Sequence, residues 1–237
     1  MSAAGGPLAG AAAVVTGGGR GIGRAIALAL AARGARVAVG ARTAAEVAAV
    51  AAAIEADGGA ALPLALDVAD QGSVARFAGV VLERWGAPAV LVNNAGIVAR
   101  GRLDALPVAA FAAVVAVNLT GSYLVTRAFL PAMRAAGRGR IVNVASIAGR
   151  RGTAELTAYC AAKHGVVGLT RALAEEVRGD GLQVNAVCPG SVDTAMLAQG
   201  MPGATPRMTP AEVARVVLFL AAEAPAALTG ACVDVFG

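Results

Sequence analysis

The chain has 237 residues, 57% hydrophobic but only 3% aromatic, which fits one large domain whose core is built from Ala, Val, Leu and Ile. Its net charge of +5 comes from scattered arginines rather than a basic run, and the densest group, Arg134 to Arg151, has no aromatic residues between its members, which argues against nucleic-acid binding, where basic clusters and stacking rings go together. Three unspaced cysteines, Cys160, Cys188 and Cys232, and one histidine, His164, argue against a disulfide framework and a metal site.

In chain order, Met1 to Gly19 is small and apolar but lacks the basic start of a signal peptide. Ala11 to Val15 reads as a buried strand. The turn Gly17-Gly18-Gly19-Arg20-Gly21-Ile22-Gly23 opens a helix to about Arg33, and Arg36 to Val39 makes a second strand. A strand, glycine turn, helix and strand in succession suit a dinucleotide site. Glycines let the backbone approach a phosphate closely, and the helix N-terminus offers free N–H groups and partial positive charge. The second strand ends at Val39-Gly40-Ala41-Arg42 with no acid. An acid there would suit the ribose of NAD; an Arg suits the 2′-phosphate of NADP. Arg42, helped by Arg20, therefore predicts NADP(H), with NAD(H) still possible.

Glu46 to Ala56 predicts a helix, Ala60 to Leu66 a strand ending at Asp67-Val68, and Val74 to Trp85 a helix. Asp67 is placed to accept from an adenine amino group. Ala89 to Val92 predicts a strand closed by Asn93-Asn94-Ala95-Gly96. Val108 to Arg134 predicts one long helix with Asn118 in its middle. Asn competes for backbone groups, so a local distortion is expected there. No strongly apolar, uncharged run is expected to cross a membrane. Arg134, Arg138, Arg140, Arg150 and Arg151 read as solvated loop charges.

Arg140 to Ala145 predicts a strand with Ser146 at its end, and Tyr159 to Arg178 a helix. Lys163 is the only lysine in a chain with 19 arginines, and it lies one turn from Tyr159. Positions i and i+4 share a helix face. A nearby ammonium is expected to pull the phenol pKa down from about 10 toward neutrality, where it can exchange a proton. Leu182 to Val187 predicts a strand ending in Cys188-Pro189-Gly190, Val213 to Ala222 a helix, and Ala231 to Phe236 a last strand.

About seven strands alternating with six helices predict an α/β fold: a single doubly wound Rossmann-like domain over residues 1–237, with a mostly parallel sheet and helices on both faces. Ligands bind such folds at the carboxyl ends of strands. Gly17, Arg42, Asp67, Asn94, Ser146 and Pro189 all fall there.

Thr16-Gly17-Gly18-Gly19-Arg20-Gly21-Ile22-Gly23, Asn93-Asn94-Ala95-Gly96, Asn118, Ser146, Tyr159-x-x-x-Lys163 and Pro189-Gly190 together resemble the motifs of the short-chain dehydrogenase/reductase family over nearly the whole chain. The closest likeness is to 3-oxoacyl-[acyl-carrier-protein] reductases. The resemblance implies Tyr159 as general acid or base, with Lys163 lowering its pKa and binding the nicotinamide ribose. Ser146 would hold the substrate oxygen, and Asn118 a water that relays protons from Lys163. Gly17, Arg20, Gly21, Ile22 and Gly23 would line the cofactor phosphates. Asp67 and Val68 would meet the adenine and Asn94 its ribose side. Pro189 and Gly190 would lead to Val192 and Thr194 at the nicotinamide carboxamide. A short substrate lid is expected at about 194–209, open or mobile enough for bulky or carrier-bound substrates. The implied activity is NADPH-dependent reduction of a ketone such as a 3-oxoacyl thioester. The alternatives are oxidation of an alcohol by the same site and a non-catalytic cofactor-binding regulator. The resemblance also implies a homotetramer or homodimer. Location in the reducing cytoplasm is the default expectation.

Overall fold

The computed structural model describes residues 7–237; the first six residues, part of the stretch read against a signal peptide, lie outside it. Seven strands form one fully parallel sheet in the order β3-β2-β1-β4-β5-β6-β7. They are β1 Ala12–Thr16, β2 Arg36–Ala41, β3 Ala60–Ala65, β4 Val90–Asn93, β5 Gly139–Val144, β6 Leu182–Pro189 and β7 Cys232–Val235. The helices are α1 Gly21–Ala32, α2 Ala44–Ala56, α3 Gln71–Trp85, α4 Val108–Val115, α5 Gly121–Ala135, α6 Thr157–Glu176, α7 Ala195–Gly200 and α8 Pro210–Leu218.

Strand β1 shows why the sheet is covered on both faces. All five of its residues are buried. Ala13 and Val15 join Ile26, Leu30, Val50, Ile54 and Val217 on the side of α1, α2 and α8. Val14 points the other way, to Phe77, Val81, Phe129 and Leu173 on the side of α3, α5 and α6. A continuous apolar run is what a doubly covered parallel strand requires. Strand order reverses between β1 and β4, so a crevice opens at their carboxyl ends.

Two helix expectations change. The sequence counts six helices; the structure has eight α-helices among the described residues. Short α7 was hidden in a Gly- and Pro-punctuated segment. The long helix from Val108 is broken by a π turn at Ala116–Thr120, with Asn118 at its centre, as the mid-helix Asn predicted. Val108–Ala135 is also long and apolar enough to cross a membrane by length and composition, an 18-residue window within it having mean hydropathy 1.9. The sequence reading did not register this. In the fold, that stretch packs against α3 and α6 beside the sheet.

Several arginines are not the free loop charges expected. Arg140 donates to the carbonyls of Leu220 (3.0 Å) and Ala224 (2.7 Å), closing the C-terminal turn after α8. Arg134 pairs with Asp180 at 2.6 Å, and Arg150 with Asp234 at 3.0 Å.

A buried polar chain ties the central layers together. The Asn93 amide donates to Thr126 Oγ1 (2.9 Å) and Asn143 Oδ1 (2.8 Å). The Asn143 amide donates to Thr170 Oγ1 at 2.9 Å. Buried amides are costly unless paired, so this chain fixes α5 and α6 against β4 and β5.

Candidate active site

The cleft at the carboxyl ends of the strands has a volume of about 1310 Å³. Its first wall is the glycine turn. Gly17 has φ +62, a conformation that side chains other than glycine rarely adopt. A Cβ on Gly23 would strike the Gly17 carbonyl oxygen and the Asn94 amide. Glycine there lets α1 press directly onto the turn. Helix α1 starts without a side-chain cap and without an acid in its first turn. Its first residues, Gly21, Ile22 and Gly23, line the cleft with no side chain capping their N–H groups, as an anion site requires.

Asn94 clamps this turn. Its amide donates to the carbonyls of Thr16 (3.0 Å) and Gly17 (3.1 Å). Thr16 Oγ1 accepts from the N–H groups of Asn94 (3.0 Å) and Ala95 (3.1 Å). The sequence assigned no role to Thr16. Its signal was a buried hydroxyl at a strand end.

Arg20, Arg42, Asp67 and Val68 line the end of the cleft beyond β2 and β3. One Asp67 oxygen accepts from the Ala69 N–H at 2.9 Å. The strand end carries no acid, as read, but Glu46 in the first turn of α2 reaches the same place. Glu46 Oε1 lies 3.8 Å from the Arg20 guanidinium. The sequence reading gave Glu46 no role, because sequence alone does not aim a helix.

Ser146, Tyr159 and Lys163 meet at the other end. Ser146 closes β5 and accepts from the Ala148 N–H at 3.1 Å. The Lys163 ammonium is buried, only 4% exposed, and donates to the Val144 carbonyl at 2.7 Å. It lies 5.6 Å from the centre of the Tyr159 ring. Burial pushes the Lys163 pKa down to about 8, with the Cys188 thiol opposing. Burial pushes the Tyr159 phenol up to about 12; hydrogen bonding with Ser146 pulls back part of that. The expected fall in the Tyr159 pKa is therefore not seen in the protein alone. Lys163 makes its short bond to a carbonyl rather than to the phenol, and desolvation of the phenol dominates.

Asn118 is the one sequence-predicted site residue that does not line the cleft. Its side chain exchanges two hydrogen bonds with the backbone of Ile97, at 2.7 and 2.9 Å. Its carbonyl accepts from the Ser122 hydroxyl at 2.9 Å. Gly21, Ile22, Pro189, Gly190, Val192 and Thr194 all line the cleft. Thr194 caps α7 by accepting from the Leu197 N–H at 3.2 Å. A Cβ on Gly21 would meet Thr194 Cγ2 at 3.4 Å, so the segment after β6 closes over the start of α1.

The predicted lid at 194–209 contains α7 and is tied at its base. Val192 bridges to Met208 in parallel, and the Arg207 N–H donates to the Ser191 carbonyl at 2.9 Å. Gln199 reaches the Val98 carbonyl at 3.3 Å. Arg151, Met196 and Arg207 also line the cleft, and the sequence reading had assigned them no part in the site. Arg151 had been read as solvated loop charge.

Residues 11–203 match the short chain dehydrogenase family. The chain is 40% identical to the 3-oxoacyl-[acyl-carrier-protein] reductase of Pseudomonas aeruginosa, over 97% of each chain. It is 42% identical to the cis-4-hydroxycyclohexanecarboxylate dehydrogenase of Sinomonas cyclohexanicum, over 95% of this chain and 94% of that one. The crystal structure of levodione reductase superposes with a TM-score of 0.90 at 33% identity, covering 96% of both chains. With motifs, sheet order and full-length relatives in agreement, the chain belongs to the short-chain dehydrogenase/reductase family, the NAD(P)-dependent oxidoreductases that act on CH–OH groups.

Proposed function

We propose that this enzyme uses NADPH to reduce the carbonyl of a 3-oxoacyl thioester or a closely related ketone. The observation that carries this reading is the meeting of Ser146, Tyr159 and Lys163 at one end of a cleft whose other end is shaped for phosphate. The likeness to the Pseudomonas aeruginosa reductase supports the substrate class.

The residues present fit a nicotinamide dinucleotide. The space that Cβ atoms would fill at Gly17 and Gly23 and the uncapped start of α1 suit its diphosphate. Arg20 and Arg42 suit a 2′-phosphate, Asp67 and Val68 the adenine, and Asn94 the adjacent ribose. Val192 and Thr194 suit the carboxamide, beyond Pro189 and Gly190. When bound, the cofactor supplies the hydride.

The chain's own residues do the rest. Ser146 holds the carbonyl oxygen and stabilises charge developing on it. Tyr159 donates its proton to that oxygen. A phenol held protonated up to about pH 12 starts in the right state for an acid. Lys163, charged below about pH 8, favours the phenolate left behind and restores the proton. Asn118 fixes the Ile97 segment at the cleft wall. Asn118 would also hold a water that relays protons between Lys163 and solvent.

Exposed apolar side chains on α4 and α5, among them Val108, Phe111 and Tyr123, suit a second copy of the chain and support a homodimer or homotetramer. Three free cysteines are compatible with a reducing cytoplasm.

The deciding assay compares NADPH and NADH consumption with acetoacetyl-CoA at neutral pH. Faster turnover with NADPH supports the proposal. Turnover with NADH alone overturns the cofactor assignment, and failure with both overturns the substrate class. A second reading, oxidation of a ring alcohol, draws on the likeness to the Sinomonas cyclohexanicum dehydrogenase. It wins if a cyclic alcohol with NAD(P)+ outpaces every ketone tested.

A further inference from the structure

We infer that the substrate carries an oxyanion, a carboxylate or a phosphate, remote from its reacting carbonyl, and that Arg151 and Arg207 receive it. This rests on the reading that the carbonyl lies at Ser146 and Tyr159. The two arginines come from different segments. Arg151 follows the 3₁₀ turn Ile147–Gly149 that begins at Ser146. Arg207 lies on the returning limb of the lid. Both are exposed and both line the cleft that holds Tyr159. Among the described residues, neither forms an ion pair.

Their backbones, by contrast, are pinned. Beside Arg151, Arg150 is taken by Asp234 at 3.0 Å. Further along, Glu155 pairs with Arg100 at 2.5 Å. Its carbonyl accepts from the Gly101 N–H at 2.9 Å, and it holds φ +63, the only non-glycine positive φ among the described residues. Strain of that kind persists only where surrounding contacts over-determine it. The Arg207 N–H is held by Ser191 at 2.9 Å. Two guanidinium groups are thus presented from fixed supports without acids of their own. Asp193 is the one acid lining this end of the cleft; Glu46 and Asp67 lie at the other. With Lys163 at the same end and charged below about pH 8, the local balance at neutral pH is two positive charges. Leu156 and Met196 line the same cleft and cluster with Tyr159, which suits an apolar body. A guanidinium binds carboxylate and phosphate alike through paired N–H donors.

Two substrate pairs test this with the purified enzyme. Acetoacetate against ethyl acetoacetate isolates a carboxylate. The acetoacetyl thioester of pantetheine 4′-phosphate against that of pantetheine isolates the phosphate of a carrier arm. In at least one pair, kcat/KM for the anionic member exceeds that for the neutral member by about 10-fold or more. That ratio falls to about 1 in the Arg151→Ala/Arg207→Ala double variant and is partly restored by Arg207→Lys in the Arg151→Ala background. The pair that responds names the source of the anion. If the neutral members turn over as well as the anionic ones, or the ratio survives in the double variant, the inference is wrong and the reductase reading stands. If nothing turns over, the reductase reading fails, and binding decides the inference. A thermal shift with acetoacetate or pantetheine 4′-phosphate that disappears in the double variant supports it; no shift overturns it.

Discussion

The ammonium of Lys163 donates to the main-chain carbonyl oxygen of Val144 at 2.7 Å. That bond joins α6 to the end of β5 and sets Lys163 under the cleft floor, one helical turn from Tyr159. The pocket around it is closed, with the side chain almost fully buried. A planar, forked guanidinium does not replace a compact ammonium in such a space. Lys163→Met and Lys163→Arg should therefore both lower kcat by about 100-fold or more, as read by steady-state assay with a ketone. A fully active Lys163→Arg enzyme would show that only charge is needed.

The pKa of Lys163 also makes a prediction about stability. The lysine titrates at about 8 in the folded protein against an ordinary 10.5. Between these values the unfolded chain holds the proton and the folded one does not. Stability is therefore insensitive to this group below about pH 8 and rises from there to 10.5. Denaturant titrations should show that rise in the parent protein and not in Lys163→Met. Tyr159 acts with the opposite sign: raised from 10.0 to about 12, it makes stability fall between those values.

Tyr159→Phe removes the one phenol in the cleft while keeping the ring. Turnover should drop by about 100- to 10,000-fold. NADPH affinity, followed by fluorescence quenching, should change little, because on the proposed reading the glycine turn and the segment after β6 hold most of the cofactor. Retained turnover would remove Tyr159 from the chemistry.

Two glycines separate close packing from local propensity. At Gly23 an added methyl meets the Gly17 carbonyl and the Asn94 amide. Gly23→Ala should weaken cofactor binding and destabilise the protein by about 1–3 kcal/mol. Gly79, inside α3, has nothing within 4 Å of its would-be Cβ. Gly79→Ala should stabilise by about 0.5–1 kcal/mol. Thermal denaturation of both variants checks the pair.

On the proposed reading, charge at the far end of the cleft decides between NADPH and NADH. Arg42→Asp should reverse the ratio of kcat/KM for NADPH over NADH. Glu46 competes with a 2′-phosphate for Arg20, from 3.8 Å away. Glu46→Gln should therefore raise the same ratio a few-fold. The gain should shrink as salt is added, since exposed charges are screened. An unchanged ratio in both variants would take the phosphate away from this end.

Most of the architecture could be read before any coordinates. Each of the seven strands is a short apolar run ended by Gly, Asp, Asn, Ser or Pro. Length and composition mark such runs, because a parallel strand buried on both faces is mostly apolar and takes polar residues only where they are hydrogen-bonded, as Asn93 and Asn143 are. The break at Asn118 was also visible, because its amide competes with the helix backbone. Helix α7 was not, because its six residues carry too little periodicity and lie among glycines and prolines. The roles of Arg151, Arg207 and Glu46 were invisible for another reason. A charged residue in a loop or on a first helical turn looks the same whether it faces solvent or a cleft.

The sequence by itself determined the alternation of strands and helices that implies a parallel sheet, the glycine turn and the one-turn spacing of Tyr159 and Lys163, since these depend on neighbours along the chain. Only the tertiary structure decided the electrostatics. It buried Lys163 on the Val144 carbonyl, left the phenol desolvated, spent the Asn118 amide on Ile97 and brought Glu46 to Arg20. Those outcomes depend on which groups exclude water from which others, and burial is a property of the packed whole rather than of any segment.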